Sequence, residues 1–131
     1  GMGTRAITVI LNDYGEEICV LYRDSDGNPT EYGAALKEIL SRTVLTEGIE
    51  PGLTGRYANG MGCLAAQLIA HFKNGIGDFY VYPAGARGVG EEYVYTVYRT
   101  DETLSLEVFG LLHRGEVGEF IPTDVKRRAR Y

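Results

Sequence analysis

The chain has no tryptophan, two cysteines, two histidines and two methionines, and no apolar run of membrane-spanning length. Each shortage removes a class of protein. A membrane helix needs about 20 consecutive apolar residues, so no helical span is expected. Cys19 and Cys63 are too few to form a disulfide framework, and they suit a reducing compartment. No basic segment followed by an apolar stretch opens the chain, so a cytoplasmic location is expected. Gly1 ahead of Met2 reads as the scar of a cleaved tag, which would make Met2 the natural first residue. No metal-ligand cluster is visible, and no cofactor or metal is expected.

What is present describes one globular domain. A length of 131 residues is ordinary for a single domain and long enough to bury a core without staples. The apolar share of 44% and charged share of 24% are also ordinary. Tyrosine is abundant, at ten residues, and Tyr22, Tyr80, Tyr82, Tyr93, Tyr95 and Tyr98 fall where strands are predicted, as flat half-buried rings should. Net charge is −5, yet Lys126, Arg127, Arg128 and Arg130 hold four of the 13 basic residues, leaving nine against 18 acidic ones before them. The acidic body repels phosphate backbones, so any nucleic-acid footprint is confined to the C-terminal tail, residues 126–131. Residues 2–125 are expected to form the domain.

Along the chain, Arg5 to Leu11 and Glu16 to Arg23 alternate as strands around the turn Asn12-Asp13-Tyr14-Gly15. Asp24 to Pro29 is dense in turn formers. Thr30 can cap a helix whose stripe is Tyr32, Ala35, Leu36, Ile39 and Leu40, ending near Gly48. A second helix opens after Asn59 with Met61, Leu64, Ala65, Leu68, Ile69 and Phe72 facing inward. Its other side, Cys63, Ala66, Gln67 and Ala70, is small, which predicts that a second element covers it. Asp78–Pro83, Glu91–Arg99 and Leu104–Leu112 read as three further strands, whose short connections favour antiparallel neighbours. The expected fold is α+β: a two-layer sandwich with an antiparallel five-stranded sheet and two helices, in the order ββααβββ.

Four features could carry chemistry. Gly85-Ala86-Arg87-Gly88-Val89-Gly90 has the glycines of a phosphate loop but joins two strands and lacks the lysine, so a flexible hairpin is expected. Asp24-Ser25-Asp26-Gly27-Asn28 alternates oxygen ligands, yet its glycine and the residue at position 12 do not match a calcium loop. A turn fits better. Cys63 lies near the start of the second helix, where the dipole favours thiolate; His71 sits about 12 Å further along the same helix, leaving His113 as its potential base. Glu91 and Glu92, adjacent on a strand, point to opposite faces and cannot act as a pair.

Met2-Gly3-Thr4-Arg5-Ala6, Leu21 to Gly27, Tyr57-Ala58-Asn59-Gly60-Met61-Gly62-Cys63-Leu64-Ala65-Ala66-Gln67, Tyr80 to Pro83 and Glu91-Glu92-Tyr93 together resemble a family of small bacteriophage and bacterial proteins without an assigned activity. Where that family carries aromatic residues in the first loop, this chain has Ser25 and Asn28. The resemblance implies a phage or bacterial cytoplasmic origin and no reaction. The resulting expectation is an accessory protein that binds a protein partner or a second copy of itself. Arg23, Asp24, Asp26, Asn28 and Asn59 are its candidate binding residues. A thiol enzyme using Cys63 with His113, and nucleic-acid binding through Lys126, Arg127, Arg128 and Arg130, are the alternatives.

Overall fold

The structure, a computed structural model, describes residues 3–101, 103–110 and, by backbone, 125–127. Among them the chain runs β1 (Ala6–Leu11), β2 (Glu17–Arg23), a π-helical turn (Pro29–Gly33), α1 (Ala34–Ser41), β3 (Val44–Thr46), β4 (Tyr57–Asn59), α2 (Gly60–Phe72), β5 (Phe79–Pro83), β6 (Tyr93–Thr100), β7 (Thr103–Gly110) and β8 (Val125–Arg127). All five predicted long strands and both helices are present, but α1 ends at Ser41 and not near Gly48, because Val44–Thr46 leaves it as the short strand β3. The fold is α+β.

The sheet is mixed, which corrects the antiparallel expectation. Its order is β5-β2-β1-β6-β7-β8. β1 pairs antiparallel with β2 but parallel with β6, from Ala6 opposite Tyr93 to Ile10 opposite Val97. β2 pairs antiparallel with β5, and β6 with β7, while the short β8 lies parallel to β7. Connection length misled the reading here. β5 and β6 are joined by a short loop, but β2 and β1 stand between them, so the loop crosses the sheet instead of closing a hairpin. The element order also differs, because β3 and β4 form a separate two-stranded parallel sheet between the helices. Lys126 and Arg127, expected in a terminal tail, stand on β8.

Two apolar clusters flank the sheet. On one face, Ala6, Ile10, Leu21, Tyr95, Val97, Leu106 and Val108 meet Leu36 and Leu40 of α1 and Met61, Leu64, Ala65 and Leu68 of α2. Both helices therefore cover this face, and the predicted stripe of α2 does point inward. Its small-residue side does not: Ala66 and Ala70 are exposed, so α2 is covered on one side alone. On the opposite face, Ile7, Val9, Val20, Tyr22, Val94 and Phe109 form a second buried cluster, against which Ala86 and Val89 of the β5–β6 loop pack. Strands β1 and β6 are thus apolar on both faces, as central parallel strands usually are.

Candidate functional site

Parallel strands gather their carboxyl ends at one edge of a sheet, and ligand crevices in α/β proteins open beyond such ends. Here the ends of β1 and β6 face the start of α2. Asp13 follows β1 in a tight turn, which Asn12 stabilises by accepting the amides of Tyr14 and Glu16 at 2.8 and 2.9 Å. The Asp13 carboxylate receives Arg99 Nη1 of β6 at 2.6 Å and the Met61 amide of α2 at 3.3 Å. A side chain from a distant turn therefore caps α2, in place of its own Asn59, and the carboxylate also complements the helix dipole. Arg99 is oriented in turn by donating from Nε to the Asp101 carbonyl at 2.7 Å.

Gly60 makes this approach possible. Its φ is +82°, and a Cβ there would lie 3.1 Å from Asp13 Oδ2. Asn59, a predicted binding residue, accepts the Gly48 amide at 2.7 Å and ties the β3–β4 connection to the helix start. The result is a cleft of about 470 Å³ between Asp13, Arg99, Thr46, Gly48, Asn59 and Gly60, with Tyr14 and Glu47 on its rim. Tyr14 is 89% exposed. The hydrogen bond from Arg99 holds the Asp13 carboxyl below its ordinary value, against partial burial that pushes the other way.

The other predicted binding residues lie at the opposite end of β1, since Arg23 pairs with Ala6 while Glu17 pairs with Leu11. The structure does not bring the two regions together. Around Asp24 two carboxyls lie side by side: Asp78 is held below its ordinary value mainly by the Ser25 hydroxyl at 2.6 Å, and Asp24 is pushed up by its neighbour Asp78. Arg23 donates to the Ser25 carbonyl at 2.8 Å and stacks over the Tyr32 ring. Asp26 adopts a positive φ of 55°. Asn28 donates to Thr30 Oγ1 at 2.7 Å, while its Oδ1 is buried without a partner among the described residues. This is a folded turn, as its composition predicts, and no group of metal-ligating side chains forms among the described residues.

Cys63 sits in the first turns of α2, half-buried against the core. His113, Arg128 and Arg130 lie outside the described residues. Amides of the Gly85–Gly90 loop are taken by carboxylates of this chain, Glu91 just after the loop and Glu17 of β2. Glu91 accepts the amides of Gly88 and Val89 at 3.1 and 2.7 Å. Glu17 accepts the Gly85 amide at 2.7 Å and pairs with Arg87 at 2.8 Å. Burial alone would raise the Glu17 carboxyl, but Arg87 and the Gly85 amide keep it below its ordinary value.

Sequence reasoning missed Asp13 and Arg99. One reads as a turn former and the other as a strand end, and they are separated by 86 residues, a distance at which no local pattern links them. No known protein family, no curated protein and no solved structure matches the chain. No helix among the described residues is long and apolar enough to cross a membrane.

Proposed function

We propose that the chain is an accessory protein of phage or bacterial origin that binds a protein partner at the cleft between β1, β6 and the start of α2. The supporting observation is the Asp13–Arg99–Met61 constellation. It fixes three elements around a polar opening and leaves the aromatic ring of Tyr14 projecting beside it. Pre-organised polar groups flanked by an exposed tyrosine suit recognition, because little ordering remains to be done on binding. Proton transfer near neutral pH would need a carboxyl poised far higher than Asp13, whose partner drives it the other way.

Tyr14→Ala tests the reading, with Tyr80→Ala as a control on a different edge of the sheet. Partners captured from bacterial or phage-infected lysate should be lost with Tyr14→Ala and kept with Tyr80→Ala. Identical capture by all three proteins would reject the cleft. A second reading, thiol chemistry at Cys63, draws on its place near the amino end of α2. Labelling of Cys63 by a thiol reagent at neutral pH, as fast in the native as in the unfolded protein, would favour it; labelling on unfolding alone would end it.

A further inference from the structure

A groove of about 450 Å³ separates α1 from α2. Its floor is apolar, from Ile39, Leu64 and Leu68, and its rim is basic, from Arg42, Arg56 and His71. Such a rim is unexpected on a chain of net charge −5. Arg42 is spanned by a long, exposed contact of 3.7 Å to Glu38, the kind of surface pair that binds weakly. Arg56 rests on the Tyr57 ring.

The complementary shape is on the same molecule. In the β3–β4 connection, Ile49 is 84% exposed and stands between Glu47 and Glu50 at the tip beside Gly48. That tip is held in place. Gly48 turns it with a φ of +102°, its amide is fixed by Asn59 and its carbonyl accepts Thr46 Oγ1 at 3.1 Å. An exposed isoleucine with a glutamate on either side in sequence is complementary in polarity and charge to an apolar groove that Arg42 and Arg56 line. Gly55 and Arg56, which line the groove, belong to the same β3–β4 connection as Ile49, so one connection contributes to both knob and slot. Mutual exchange about a two-fold axis needs that arrangement.

We propose that two copies of the chain pair through this face, Ile49 of each entering the α1–α2 groove of the other, with Glu47 and Glu50 meeting Arg42 and Arg56. The pairing shares Glu47 with the rim of the cleft but does not use Tyr14, so Tyr14→Ala leaves it unchanged. Sedimentation equilibrium of the full chain, at concentrations up to about 1 mM, the weak limit of specific association, provides the test. A dimer that weakens with salt is expected, at least about tenfold weaker in Ile49→Asp. The doubly substituted Arg42→Glu/Arg56→Glu protein should be monomeric, as should Glu47→Arg/Glu50→Arg, because each sets like charges against each other. Mixed together, these two variants should form a heterodimer, since both slots then face a loop of opposite charge. All these side chains are exposed, and circular dichroism verifies that each variant is folded. A monomeric wild type, or a dimer indifferent to the substitutions, or a mixture that stays monomeric, would overturn the proposal.

Discussion

Tyr95 is fully buried, yet its hydroxyl donates to the Gly27 carbonyl at 2.8 Å. Beside it, Tyr32 shares a 2.6 Å hydrogen bond with Thr8 and meets the Tyr95 ring edge-on at 5.3 Å. Burial pushes the Tyr32 hydroxyl up to about 12 and Tyr95 in the same direction, so both remain neutral at any ordinary pH. Tyr95→Phe strands the Gly27 carbonyl and should cost about 1–3 kcal/mol in urea unfolding. Gly27 itself has no room for a side chain, since a Cβ would lie 2.7 Å from that of Ala6 and 2.9 Å from the Thr4 carbonyl. Gly27→Ala should therefore destabilise by about 1–3 kcal/mol, the usual cost of overpacking. The acids set the pH response. Asp13 and Glu17 are held below their ordinary values, so their contribution is complete above the normal carboxylate range and fades as pH falls through it. Asp24, raised by its neighbour Asp78, acts oppositely: its contribution is present at low pH and is lost as pH rises through its raised value. Acid titration of Arg99→Met, followed by thermal melting, should show a shallower loss of stability than the wild type.

At the level of elements, β5 shows how an edge strand is kept from pairing further. The Asp24 amide reaches the Asp78 carbonyl at 3.2 Å, which sets the ladder's alternation and turns the amides and carbonyls of Phe79, Val81 and Pro83 outward. Pro83 has no amide hydrogen, and its carbonyl accepts Ala86. The Phe79 amide goes to Gly77, and its carbonyl accepts Lys73 Nζ at 2.7 Å. Among the described residues, Val81 is the outward-facing position of β5 whose backbone donor and acceptor have no such partner. Lys73→Ala combined with Pro83→Val should reopen the edge, and light scattering should detect the resulting association. The elements also show where sequence patterns stop. Alternation over five to eight residues located the long strands, and the 3.6-residue stripe of α2 located its inner face. β3 and β4 have three residues each, too few for a period. The small side of α2 faces solvent because alanine tolerates either environment. Leu68, on the legible stripe and fully buried, should lose about 2–5 kcal/mol on truncation to alanine.

For the whole molecule, the decisive contact is the one joining the first strand to the sixth. β1 lies between β2 and β6, so the amino-terminal hairpin and the β6–β7 pair become one sheet through it. Pairing order of this kind is invisible to periodicity, which describes each strand alone and says nothing of its neighbours. The same holds for the cleft, whose two principal charges meet because β1 and β6 meet. β1 amides should be among the slowest to exchange with solvent hydrogen, since they open with global unfolding. The arrangement also carries a cost during synthesis. At about 5–20 residues per second, a ribosome needs roughly 4–17 s to advance from β1 to its parallel neighbour. For most of that interval β5 is missing too, and the newborn hairpin exposes both flanks, rich in isoleucine and valine, to every other chain emerging nearby.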